Sequence, residues 1–169
     1  GRIVIPAAEM SVLAQVVVQD NRSRDPIFGG RQVYHVKRDL KSAPVALNVK
    51  EFPKGAPSTF RGAVGHFTMT AQMPTAEVDA NSADRMIVTI AGDGNLKFIT
   101  APTLKLPDSF ELYDTKVADN IKVTAAGMSG AITYTYPFVA RSEGDFTIPA
   151  VLFTYFDPTS ESYETLSTE

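Results

Sequence analysis

Gly144-Asp145-Phe146-Thr147-Ile148-Pro149-Ala150-Val151-Leu152-Phe153-Thr154-Tyr155-Phe156-Asp157 is the longest apolar, β-branched and aromatic run in the chain. Such residues suit a pleated, half-buried surface, so the run reads as one long strand. Gly144 is expected to set the entering turn, and Phe146, Ile148 and Leu152 to supply core contacts. Pro149 cannot donate to a ladder and limits pairing where the strand begins. The first residues echo this run: Gly1-Arg2-Ile3-Val4-Ile5-Pro6-Ala7-Ala8 aligns Gly1 with Gly144 and Ile5-Pro6-Ala7 with Ile148-Pro149-Ala150. After a gap, Leu40-Lys41-Ser42-Ala43 aligns with Leu166-Ser167-Thr168-Glu169. The first copy then continues into Pro44-Val45-Ala46-Leu47-Asn48-Val49, an alternating strand, whereas the second stops at Glu169.

The echo predicts the tail of one β-sandwich followed by a second sandwich. The expected organisation is 1–52, the C-terminal strands of an incomplete first domain; 53–60, a Pro/Gly linker; and 61–169, a second immunoglobulin-like sandwich lacking its last strand. Three strands are too few to bury two sandwich faces alone. Unpaired sheet edges recruit strands from other chains, so an edge-strand oligomer is a further expectation.

Apolar residues make up 44% of the 169 and charged residues 21%, an ordinary globular balance that permits a substantial core. Net charge is −3, with Lys and Arg scattered, so nothing suggests a nucleic-acid stripe or a cationic membrane helix. The absence of cysteine excludes disulfides, thiolate metal sites and a thiol nucleophile. No apolar run approaches the ~18 residues needed to span a bilayer. There is no N-terminal signal pattern, and because Gly1 already lies in a strand-like segment, the natural protein is expected to extend upstream.

Within 1–52, residues Ile3 to Val18 read as one long strand or two collinear ones. Asp20–Pro26 reads as a turn and Gln32–Val36 as a further strand. Phe52-Pro53-Lys54-Gly55-Ala56-Pro57-Ser58 has no periodicity and reads as a semi-rigid spacer. Downstream, strands are expected at His66–Ala71, ended by Pro74, and at Arg85–Ile90, with Met86, Val88 and Ile90 on one face. Leu96–Ile99, Phe110–Tyr113, Lys122–Thr124 and Ala131–Tyr136 follow, the last placed at an edge because of Pro137. No 3.6-residue apolar period persists for three turns, so helix is expected to be minor. Arg141-Ser142-Glu143-Gly144-Asp145-Phe146 has the pattern that enters strand F of immunoglobulin-like sandwiches. Phe146 lacks the corner hydroxyl and no Cys follows, so the likeness is to the wider sandwich class.

Each group with chemical potential has a plain structural reading beside the functional one. The two histidines, His35 and His66, fall in different expected domains, whereas zinc or acid–base chemistry needs converging partners. Asp79-Ala80-Asn81-Ser82-Ala83-Asp84 spaces oxygens as a calcium ligand set does, but lacks the Gly and bidentate Glu of a calcium loop. A polar turn is the commoner use of such residues. Gly92-Asp93-Gly94-Asn95 is followed by β-type residues, so a tight turn or bulge fits better than a phosphate cradle. Glu143 and Asp145 sit on a turn, with nothing to bury a general acid. Tyr134, Tyr136, Tyr155 with Phe156, and Tyr163 would stack sugars if they formed an exposed row; cross-strand packing is the alternative.

Several stretches resemble one family, the bacterial aerotolerance proteins called BatD. They are Phe60-Arg61-Gly62-Ala63-Val64-Gly65-His66-Phe67; Gly92–Leu96; Pro102 through Pro107-Asp108-Ser109-Phe110-Glu111-Leu112-Tyr113-Asp114; and Arg141–Ala150 running on to Phe153–Pro158. Ser42–Pro53 is similar to the end of the family's upstream domain. The resemblance covers about residues 40–169 and is specific as a set rather than motif by motif. It implies a periplasmic or extracytoplasmic protein of tandem sandwiches, anchored to the inner membrane by a transmembrane segment outside these residues. It also implies partnership with von Willebrand factor A-domain proteins and a MoxR-type ATPase of the same operon, in oxygen or stress tolerance.

The resemblance carries no catalytic residue, cofactor or metal ligand. The sequence therefore predicts an all-β protein of tandem immunoglobulin-like β-sandwich domains, the first incomplete. Its expected function is non-enzymatic protein–protein interaction or scaffolding, with a carbohydrate- or surface-binding module as the alternative.

Overall fold

The computed structural model describes residues 1–19, 31–73 and 75–168. The turn expected at Asp20–Pro26 and the strand-ending Pro74 lie outside the described residues. The chain divides into two compact units, Gly1–Phe52 and Pro53–Glu169. It is all-β: eleven strands and one short 3-10 turn form the regular structure of the described residues.

The first unit contains two separate ladders. Strand β1 (Arg2–Ile5) pairs antiparallel with β4 (Val45–Asn48), and β2 (Glu9–Gln19) pairs antiparallel with β3 (Arg31–Lys41). Period-two alternation gives the β2–β3 hairpin two unlike faces. Opposed pairs Met10/Leu40, Val12/Arg38, Ala14/Val36 and Val16/Tyr34 make one face largely apolar. The other face is mixed: pairs Ser11/Asp39 and Gln15/His35 are joined by side-chain hydrogen bonds, and Leu13, Val17 and Val33 lie beside them. Met10, Val16, Val36 and Leu40 stand exposed on the apolar face. The stretch Ile3–Val18 is thus two strands with different partners, separated at Pro6–Ala8, where Pro6 offers no donor.

The second unit is built from β5 (Phe60–Gln72), β6 (Ala83–Gly94), β7 (Phe110–Leu112), β8 (Lys116–Thr124), β9 (Gly127–Ala140), β10 (Leu152–Asp157) and β11 (Ser162–Ser167). One seven-stranded sheet runs β11-β10-β5-β6-β9-β7, with β8 also alongside β9. The sheet curls because β5 changes partner halfway. Its first half lies parallel to β10, with Ala63 opposite Tyr155 and Val64 opposite Phe156; from Gly65 onward it lies antiparallel to β6. A strand that switches sheets in this way makes the corner of a sandwich.

Asn95 fastens that corner. Its Oδ1 accepts from Val64 N at 2.7 Å, its Nδ2 donates to Gly62 O at 2.8 Å, and its main-chain N donates to Val64 O at 3.0 Å. The backbones also approach too closely for side chains. A Cβ on Gly92 would lie 2.0 Å from His66 O, and one on Gly94 2.2 Å from Val64 O. Both residues have positive φ, the region glycine enters without penalty.

Inside the curl, Met86, Val88 and Ile90 of β6 face the core as expected, opposite Tyr136, Tyr134 and Ile132 of β9. The Phe67 ring meets Phe153 edge-on at 5.8 Å and Tyr155 at 5.3 Å, so both halves of the curl share one core. Edge-to-face pairs of this kind contribute about 0.5–1.5 kcal/mol beyond their buried area.

Several expectations are corrected. Gly144–Asp157 is not one long strand, since only Leu152–Asp157 pairs. Pro149 lacks a donor, and the break shifts the inward phase to Val151, Phe153 and Tyr155, leaving Leu152 exposed. Gly92–Gly94 continues β6 rather than turning, and Leu96–Phe98 is a 3-10 turn with Leu96 fully buried. β9 is central, not an edge strand. The Pro137 carbonyl accepts from Tyr113 N at 2.9 Å. In an extended strand N and O of one residue point to the same side, so the donorless Pro137 nitrogen also faces that side. There it meets the interval between Leu112, the last residue of β7, opposite Phe138, and Lys116, the first residue of β8, opposite Thr135, so the β6 ladder loses nothing.

Candidate interaction surfaces

The two histidines lie in different units, each on an exposed strand position. His35 Nε2 is 2.9 Å from Gln15 Nε2 across the β2–β3 hairpin. His66 Nε2 is 2.9 Å from Thr159 Oγ1 and 3.1 Å from Asp157 Oδ1. The Asp157 carboxylate accepts from Thr159 N at 2.7 Å and Ser160 N at 3.3 Å. These bonds, the Thr159 amide foremost and the His66 charge among the lesser causes, hold its pKa below the ordinary value. The cluster secures the β10–β11 turn.

Asp79–Ser82 is a turn leading into β6, with Ser82 N donating to Asp79 O at 3.0 Å and Asn81 in the left-handed region at φ 64°. The Asp84 carboxylate is occupied by the Thr75 hydroxyl and by Arg85 N. Among the described residues, no three or more His, Asp or Glu side chains gather where they could hold a metal ion. Glu143 and Asp145 are both exposed.

Three of the four singled-out tyrosines are buried. Tyr134 donates to Ile99 O at 3.2 Å and Tyr136 to Pro102 O at 2.7 Å, while Tyr155 packs on Phe67. Burial, with Tyr134 nearby, pushes the Tyr136 phenol well above its usual range. Tyr163 is half-buried between Phe60 and Phe156, with its hydroxyl on Pro53 O at 2.8 Å. These rings hold the fold together and do not form an exposed row.

Sequence reasoning did not find the Arg141–Glu111–Tyr113 group. Arg141 Nε donates to Glu111 Oε2 at 2.8 Å, a second guanidinium nitrogen contacts the same oxygen, and Tyr113 Oη lies 3.4 Å away. The Arg141 hydrogen bond is the main cause that lowers the Glu111 pKa. The pair is exposed, so it orients β7 more than it stabilises the unit.

The open edge is a different kind of feature. Among the described residues, β8 pairs with β9 and with no second strand. A Cβ on Gly130 of β9 would sit 2.1 Å from Asn120 O, so Asn120 faces inward. By alternation, Val117, Asp119, Ile121 and Val123 direct their N–H and C=O groups outward. Val117 and Val123 are exposed, while Lys116, Asp119 and Lys122 place charges along the strand. Charged edges limit indiscriminate pairing.

Among the described residues no helix is long and apolar enough to cross a membrane. The family model described as the BatD DUF11-like domain matches residues 71–169, more than half of the chain. No curated protein and no solved structure matches it.

Proposed function

The chain belongs to the BatD family of aerotolerance-associated envelope proteins, and from that premise we propose that it is a non-enzymatic interaction module. It holds envelope proteins together by adding a partner strand to its sheet edge. The observation that carries this reading is β8, nine residues long, paired on one side and presenting an ordered row of outward main-chain groups. Strand addition draws affinity from the main chain and selectivity from alternate side chains. Burial of Tyr134, Tyr136 and Tyr155 weighs against a sugar-stacking platform. In the full-length protein the module faces the periplasm, tethered to the inner membrane, and its partners are von Willebrand factor A-domain proteins working with a MoxR-type ATPase.

The test is capture of a purified von Willebrand factor A-domain ectodomain from the same operon by the ectodomain of the full-length protein. Asp119→Pro removes an outward donor while leaving the Asn120 bond to β9, so it should abolish capture yet preserve the fold. Retention of glycans alone, or undiminished capture by Asp119→Pro, would overturn the reading.

A further inference from the structure

The sequence echo between the two units extends to their hydrogen bonds. In the first unit, Ala8 N donates to Ser42 Oγ at 3.0 Å and Ser42 N to Ala8 O at 2.9 Å. In the second, Val151 N donates to Thr168 Oγ1 at 2.9 Å and Thr168 N to Val151 O at 3.1 Å. Ala8 and Val151 each stand two residues after the proline of an Ile-Pro-Ala, and each clamp closes an antiparallel hairpin. The registers correspond as well: Met10 opposite Leu40 in one hairpin, Phe153 opposite Leu166 in the other. The two hairpins are copies of one element.

Upstream of the clamp the copies differ. In the first unit, Arg2–Ile5 is a strand because β4 lies against it, with Ile3 opposite Leu47 and Ile5 opposite Val45. β4 arrives from the hairpin itself, since Val45 follows Ser42 after Ala43 and Pro44. The equivalent of Arg2–Ile5 in the second unit is Asp145–Ile148, which is not a strand. Beside it runs a groove of about 600 Å³ whose walls include Val78, Phe110, Phe138, Phe146 and Ile148. Phe146, the counterpart of Ile3, is 39% exposed, while its ring meets that of Phe110 in a T-shaped contact at 5.1 Å.

We propose that this groove is the seat of an antiparallel strand supplied in cis, entering directly beyond Thr168 with the chemistry of Ala43–Val49. The β1–β4 ladder supplies its register. Gly1 and Val49 exchange both main-chain bonds, so by alternation Gly1, Ile3 and Ile5 point toward β4. Their counterparts Gly144, Phe146 and Ile148 point into the seat. The leucine equivalent to Leu47 lies opposite Phe146, and the valine equivalent to Val45 opposite Ile148. The inference is independent of β8 and of the interaction reading.

The test is to graft Ala43-Pro44-Val45-Ala46-Leu47-Asn48-Val49-Lys50 directly after Thr168 of the whole chain. Amide exchange is then compared with a chain carrying the same eight residues scrambled. The Phe146 and Ile148 amides should exchange roughly tenfold or more slowly in the graft, whereas Asp145 and Thr147 should change little. The protein should stay monomeric, and its melting temperature should rise. Changing the grafted leucine, Leu47→Asp, should remove the protection without unfolding the unit. Equal exchange in grafted and scrambled chains would overturn the proposal. So would protection that appears only with concentration-dependent dimerisation, because the strand would then come from a second copy.

Discussion

Val64 and Asn95 are bonded in both directions: the Val64 amide donates to the Asn95 side-chain oxygen at 2.7 Å, and the Val64 carbonyl accepts from the Asn95 amide at 3.0 Å. The side chain of one residue thereby takes the place of a neighbouring strand at the point where β5 leaves β10 for β6. Asn95→Ala leaves Val64 N and Gly62 O without these partners in a partly buried site. The expected loss is about 1–3 kcal/mol, read as a lower urea midpoint at unchanged slope. Asn95→Asp keeps the acceptor for Val64 and loses the donor to Gly62, so its loss should be smaller.

Gly92 and Gly127 both have positive φ, but a Cβ on Gly92 meets the His66 carbonyl whereas one on Gly127 meets open space. Gly127→Ala therefore isolates backbone strain, of order 1–3 kcal/mol. Gly92→Ala adds a steric conflict between two strand backbones and should be the more damaging of the pair. Thermal melts of the two variants check this, and equal midpoints would show that the strands separate at little cost.

Phe138 is 0% exposed near the C-terminal end of β9, and Phe98 is 70% exposed on the 3-10 turn. Phe138→Ala should cost about 3–5 kcal/mol through lost burial and the cavity left behind. Phe98→Ala should fall within about 0.5 kcal/mol of the parent. Denaturant titration of both variants separates these outcomes.

Tyr136 contributes to the pH dependence on the alkaline side, together with Tyr134 and Tyr155, whose phenols burial also pushes up. Its folded pKa is raised by burial above the ordinary phenol value of 10.0. Its contribution is therefore intact below that value and is lost as pH rises, because the unfolded chain ionises first. Stability should decline above about pH 10, and less steeply in Tyr136→Phe. That variant should also be less stable than the parent at neutral pH, having lost the bond to Pro102 O. Unfolding midpoints collected from neutral to alkaline pH report both effects.

What could be read from the sequence divides by the range of the interactions involved. Alternation in Arg85–Ile90 placed Met86, Val88 and Ile90 inward because strand phase is a local property. The echo between Gly1–Ala8 and Gly144–Val151 is local in sequence: each Ile-Pro-Ala is followed directly by the residue that bonds the hydroxyl of Ser42 or Thr168. Pro137 was misplaced because tolerance of a missing donor depends on where β7 ends and β8 begins, which the proline's own neighbours do not encode. Asn95 followed two glycines and read as a turn. Only the pairing of β5 with both β10 and β6 shows why an amide belongs there. The open edge of β8 was likewise hidden, since an edge is defined by the strand that is absent from one side. The aromatic residues offered two readings, and the core settled Tyr134, Tyr136 and Tyr155 as packing residues.

The parallel contact between β5 and β10 has a kinetic consequence. Thr59 and Thr154, whose hydroxyls meet at 2.5 Å, are 95 residues apart, whereas β10 and β11 are joined by a short turn held by Asp157. The hairpin can close in roughly 1–10 μs, but its docking must wait for the intervening chain to fold or search. Docking is then expected to be the slow, non-local step, and until it occurs both the hairpin and the first half of β5 carry uncovered backbone. A polypeptide folding in order of synthesis would expose β5 first and complete it last. That interval is when a chaperone, or the wrong neighbouring repeat, has its best opportunity to bind.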